Sequence, residues 1–187
     1  AGLNGSQSGL GPRFEVNAHT GDFSYPYTAQ GQSGNVLYKR IQVPNDELDP
    51  ALHPTALFYG EGQYIALDDA QAGNGNNNAS YRQLIVTNAS GGSVSMTVTG
   101  PTFREDPAIR AWQANQPSVQ IEEAQVPDEG LFLVASHATD NGDGTWHYEY
   151  AVQNLNSDVS AASFKVPVPA SVDVTNIDFH DVDHHSG

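Results

Sequence analysis

The chain has 187 residues, 22 of them acidic against 7 basic, with a formal net charge of −15 and no cysteine. That charge repels phosphate backbones and anionic lipid, so nucleic-acid and membrane-surface binding are excluded. The missing thiols exclude disulfides, thiolate metal sites and cysteine nucleophiles, and no apolar run is long enough for membrane insertion.

The length can bury a sizeable core in one domain. With 18 glycines, 11 prolines and many Asn, Ser and Thr, connections are numerous and strands short, which is an all-β profile. Residues 1–35 are rich in Gly, Ser and Gln and lack apolar periodicity. They are expected to form an extended arm pinned to the domain by Phe14, Phe23, Tyr25 and Tyr27. Residues 36–187 are expected to form the β-sandwich domain, continuing or pairing beyond Gly187 in the native polypeptide.

The first strand is expected over Val36–Val43, ended by Pro44, and the next over Ala56–Leu67 with a bend at Gly60-Glu61-Gly62. Asp68 to Ser80 is a polar loop. Tyr81–Thr87 and Ser93–Thr99 form a hairpin, with Val94, Met96 and Val98 directed inward. Asp106 as cap and Pro107 as first residue predict the single short helix, carrying Ile109 and Trp112 on one side. Val119–Val126 is a strand.

The hairpin Leu131–Val152 organises the rest. Its first arm is wholly apolar, whereas its second alternates Trp146, Tyr148, Tyr150 and Val152 with Thr145, His147, Glu149 and Ala151. The aromatic face is expected in the core; exposed, it would be a sugar-stacking platform. Ser163–Val168 alternates as an edge strand marked by Pro167 and Pro169, and Val172–Val182 is the last strand. The fold class is therefore an antiparallel β-sandwich with one short helix and an extended N-terminal arm.

Three stretches carry the main sets of metal-capable side chains, with Asp46, Glu47 and Asp49 as a weaker cluster. Asp68 and Asp69 with Asn74, Asn76 and Asn78 offer the oxygens that calcium takes. The turn at Asp140, Asn141 and Asp143 offers oxygens too, but without the regular spacing of an EF-hand loop. His180, Asp181, Asp183, His184 and His185 combine imidazole with carboxylate, which suits a first-row transition metal such as zinc or copper. On a straight strand, neighbours two apart lie roughly 6.6 Å from each other, so one ion would need a bend there. Asn4, Asn78 and Asn88 head N-x-S sequons. No nucleophile elbow, zinc-protease helix, phosphate loop or dinucleotide fingerprint occurs, and Ser136-His137 with Asp140 lacks a visible oxyanion hole.

The strings AGLNGSQSGLGPR, GNGNNNASYR, NGDGTWHYEYAVQNLNSD and FHDVDHHSG resemble a family of secreted bacterial proteins to which no activity is assigned. The resemblance covers essentially the whole chain, and His184 occupies a position that varies in the family. It implies secretion and membership of a longer polypeptide, and it assigns no catalytic residue. The reading that follows is a secreted or cell-surface binding and assembly module, without catalysis of its own. Its partners would be the remainder of its polypeptide or like copies joined by strand addition. Two alternatives are a metal-dependent extracellular enzyme using the C-terminal His/Asp cluster, and a calcium-dependent carbohydrate-binding module with a glycan partner.

Overall fold

The computed structural model describes residues 15–24, 43–87 and 94–180. Six strands and two short helices follow one another as β1 (Phe58–Gln63), α1 (Leu67–Gln71), β2 (Ala79–Thr87), β3 (Ser95–Arg104), α2 (Arg110–Asn115), β4 (Gln120–Val126), β5 (Gly130–Asp140) and β6 (Trp146–Asn154). They make two small antiparallel sheets, ordered β1-β2-β3 and β4-β5-β6. Each sheet is a meander of sequence neighbours, the topology that short polar connections impose. The all-β expectation holds at this level.

In the first sheet, Tyr81 is buried between Tyr59, edge-on at 5.6 Å, and Phe103, stacked at 4.6 Å. Opposite Arg82 the ladder breaks, because β3 carries extra residues between Thr99 and Phe103. Gly100, at a φ of 65°, makes the bend. Arg82 Nε donates to the Gly100 carbonyl at 2.9 Å and so satisfies backbone that the bulge leaves unpaired.

In the second sheet, the apolar arm of the hairpin becomes the core. Leu131, Leu133 and Leu155 cluster with Ala79 from the first sheet, and Ile109 and Ile121 pack against them. Polar contacts also tie the two halves: Gln153 donates to Glu61, whose carboxylate accepts the Ala108 N–H as well. Asn156 is buried and fully used, accepting from Leu131 N–H and donating to Gly75 O and Asn76 Oδ1. Where the chain passes Gly130, at a φ of 138°, a Cβ would lie 2.6 Å from Ser157 backbone. Only glycine lets those two stretches meet.

Several expectations shift. The strand expected over Ala56–Leu67 is shortened to β1, and Asp68 and Asp69 stand on α1 instead of in a loop. The helix begins at Arg110, after a turn in which Arg110 N–H bonds Pro107 O. Asp106 does not cap it but pairs with Arg110 Nε at 3.2 Å. Met96 and Val98, expected inward, are exposed on β3. Ser163–Val168 and Val172–His180 pair with no strand among the described residues, and Phe164, Val166, Val168, Val172 and Val174 are exposed. Period-two patterning marks a chain able to form a strand, and ladder formation still needs a free edge in reach. The first expected strand lies outside the described residues except for Val43, as do most of residues 1–35. Of that arm, Asn17 to Asp22 forms a turn whose Gly21 packs against the backbone of Ala66 and Leu67.

Candidate functional site

The two faces of the second sheet follow from its register. Pairing Ala135 with Ala151 and His137 with Glu149 puts those residues on the inner face with Leu133, while Ser136, Ala138 and Asp140 share the outer face with Tyr150, Tyr148 and Trp146. The expected burial of the aromatic row is not what the fold produces. Trp146 is 54% exposed, Tyr148 58%, Tyr150 41% and Val152 44%, against 1% for Leu133 and 0% for Ala135. On its inner face the buried arm meets Ala79 of β2, and Ile109 and Ile121 pack against the leucines. Among the described residues, the aromatic row on the outer face receives a ring contact from Phe164, 5.4 Å from Tyr150, and Phe132 at the far end of that face is buried. Beside the aromatic row lie small side chains, Ser136 and Ala138, so the rings stand proud as a wall along β6. An ordered row of large apolar side chains at a strand spacing is a ready contact surface.

The inner face holds the densest polar cluster. His137, with an 8% exposed side chain, receives Ser118 Oγ at 2.9 Å from Nε2 and Thr139 Oγ1 at 3.3 Å from Nδ1. Gln116 amide nitrogen lies 3.0 Å from Nε2, and the Trp112 ring meets the imidazole edge-on at 6.4 Å. Glu149 Oε2 lies 4.0 Å from Nδ1, longer than a hydrogen bond. Serine, imidazole and carboxylate thus stand in the order of a hydrolytic triad, but the second link is loose and Thr139 competes for Nδ1. The sequence pointed to Ser136 beside His137; the partner is Ser118, which no spacing could reveal because a loop brings it in.

Asp69 accepts from Asn78 and Asn74 side-chain amides, and Asn76 bonds Gln125 and Asn156. The fold therefore gathers Asp69, Asn74 and Asn78, spends their polar atoms on one another, and leaves Asp68 apart on the exposed side of α1. The sequon residue Asn78 is part of the same network. At the hairpin tip, Asp140 accepts from Gly142 N–H, and Asn141 bonds Thr145. Asp143 accepts Thr145 hydroxyl at 2.6 Å and its N–H at 2.9 Å. Those two bonds hold the Asp143 carboxyl below its ordinary range. His180 lies 3.4 Å from Glu47, and Asp181, Asp183, His184 and His185 lie outside the described residues. Among the described residues, no three His, Asp or Glu side chains gather as metal ligands would.

Burial moves two further groups. It pushes the Asp106 carboxyl up, against the pull of Arg110, and it raises the Tyr81 hydroxyl, with Asp106 and Tyr59 adding to that effect. No family model matches this chain, and comparison with curated proteins and with solved structures found no similar protein. Among the described residues, no helix is long and apolar enough to cross a membrane.

Proposed function

We propose that the protein is a secreted binding and assembly module whose contact surface is the outer face of the β4-β5-β6 sheet. In this reading its two sheets are the halves of a β-sandwich, with residues 1–35 as an arm laid on it. The observation that carries the reading is the exposure of Trp146, Tyr148, Tyr150 and Val152 on a well-formed strand. Covering the open halves of three rings would remove on the order of 300 Å² of apolar surface, about 7 kcal/mol at ~25 cal/mol/Å² before the costs of association. The partner is a like copy or the remainder of the same polypeptide. Because each copy carries a net charge of −15, association between copies strengthens as salt screens their repulsion. Light scattering across protein and salt concentration tests the reading. A mass above one chain that grows with salt is expected, and a strict monomer at every condition contradicts it.

The same rings favour a second reading, a glycan platform in which sugar faces stack on Trp146, Tyr148 and Tyr150. A glycan array on the wild type and Trp146→Ala separates the two, since only a glycan site loses a bound spot with that ring. Loss of the signal in chelator would in addition assign calcium to the Asp68–Asn78 region.

A further inference from the structure

Independently of the outer face, we infer that Ser118 is the nucleophile of an esterase site on the inner side, with His137 as its base and a carboxylic ester without negative charge as its substrate. Ser118 stands on the tight turn that joins α2 to β4. Val119 N–H bonds Gln116 O at 2.9 Å across that turn, and Pro117 takes its second position, where a fixed φ favours the reversal. The turn is held on both sides. Gln116 N–H bonds Trp112 O at the end of α2. Gln113 Nε2 donates to the carbonyl of Val119, a fully buried residue, and Gln120 Nε2 donates to that of Ser118. Ser118 itself is exposed, so a fixed backbone presents its hydroxyl to incoming molecules.

The imidazole is held as closely. Hydroxyls meet both ring nitrogens: Ser118 Oγ lies 2.9 Å from Nε2, and Thr139 Oγ1 lies 3.3 Å from Nδ1. Gln116 Nε2 lies 3.0 Å from Nε2 and 3.3 Å from Nδ1. A nitrogen that close to both sits over the face of the ring, since in the ring plane it would collide with the carbon between them. Trp112 Nε1 turns the amide that way by donating to its oxygen at 3.0 Å. Gln116 therefore fixes the ring plane and leaves the Nε2 lone pair to Ser118. Glu149, the cross-strand partner of His137, sets Oε2 4.0 Å from Nδ1. A carboxylate on that side favours the tautomer with its proton on Nδ1 and steadies the imidazolium that forms on reaction. Nucleophile, base and orienting groups thus meet the geometry of an activated serine.

In the reaction, Ser118 Oγ bonds to the ester carbonyl carbon while its proton passes to His137 Nε2. The tetrahedral intermediate collapses with loss of the alcohol, which carries that proton away. Water then attacks the acyl carbon with His137 again as base, releasing the acid and restoring the Ser118 hydroxyl. An ester suits a single imidazole, because its alkoxide leaves more readily than an amide nitrogen. The net charge of −15 and the Glu149 carboxylate at the site repel anionic esters.

Incubating the wild-type chain with a fluorophosphonate, followed by peptide mass mapping, tests the nucleophile: the serine oxygen bonds phosphorus and fluoride leaves. An adduct on Ser118 is expected, and none there overturns the proposal. His137→Gln keeps a hydrogen-bonding side chain that takes up no proton, and it should label about 100-fold more slowly or worse. Glu149→Gln, at an exposed position, should label more slowly by a smaller factor with the wild-type unfolding midpoint. A wild-type labelling rate in either variant overturns the proposal. Turnover of p-nitrophenyl acetate should be lost in Ser118→Ala. Equal turnover in that variant would mean that imidazole attacks unaided, and it overturns the assignment of Ser118.

Discussion

The two faces of the β4-β5-β6 sheet are built from the same strands and the same kinds of residue, yet one is a core, whereas the other buries Phe132 at one end and leaves the row from Val152 to Trp146 exposed. Leu131, Leu133 and Ala135 are buried, the two leucines clustered with Ala79 and packed by Ile109 and Ile121. Trp146, Tyr148, Tyr150 and Val152, with more apolar area, face outward. The difference lies in what covers each side, not in hydrophobicity. A strand has two faces, and its burial is settled by the element that reaches it. On the inner side α2, fixed by Arg110 through pairs with Asp106 at 3.2 Å and Glu123 at 2.6 Å, brings Ile109 down onto the leucines. On the outer side, among the described residues, the aromatic row is met by Phe164 of the unpaired C-terminal segment.

Substitutions on the two faces should separate stability from assembly. The largest effect is expected from Leu133→Ala, which empties a fully enclosed site and should cost about 2–5 kcal/mol in denaturant unfolding. Asn156→Ala comes next. It strands the Leu131 N–H and should cost about 1–3 kcal/mol, with faster amide exchange at Leu131 as the site-specific readout. Tyr148→Ser, in the exposed row, should change the unfolding of the isolated chain by less than about 1 kcal/mol while abolishing self-association in light scattering. A Tyr148→Ser variant as unstable as Leu133→Ala would mean that the two faces do not differ in kind.

The smallest effect is in pH. Asp143 has a lowered carboxyl, so its contribution at the hairpin tip is present above the ordinary carboxylate range and is lost as pH falls through the lowered value. Asp106 is raised by burial, so its contribution is present below the ordinary value and is lost as pH rises through the raised one. Amide shifts of Thr145 and Arg110 followed by NMR should therefore move at different pH, Thr145 at the more acid end.

Much of the strand layout was legible in the chain. The continuous run at Leu131–Ala135, the Asn/Gly-rich turn and the alternation after Trp146 place β5 and β6 and the turn between them, although β5 runs on past the apolar run to Asp140. The side that would be buried was not legible, because alternation distinguishes two faces without ranking them. Nor was the Ser118–His137 contact, which depends on how a loop folds back. Ser163–Val168 shows the reverse case: its pattern is that of a strand, and its partner is missing from the described fold. Asp69 shows why oxygen-rich loops mislead. Its carboxylate is taken by Asn74 and Asn78, amides that the sequence presents equally well as ligands or as donors.

The most direct test of the outer face as contact surface is hydroxyl-radical footprinting of Trp146, Tyr148 and Tyr150 over a dilution series. Protection of all three rings at high protein concentration, released on dilution while buried Tyr81 stays protected throughout, is the predicted result. Full reactivity of the three rings at every concentration would contradict it.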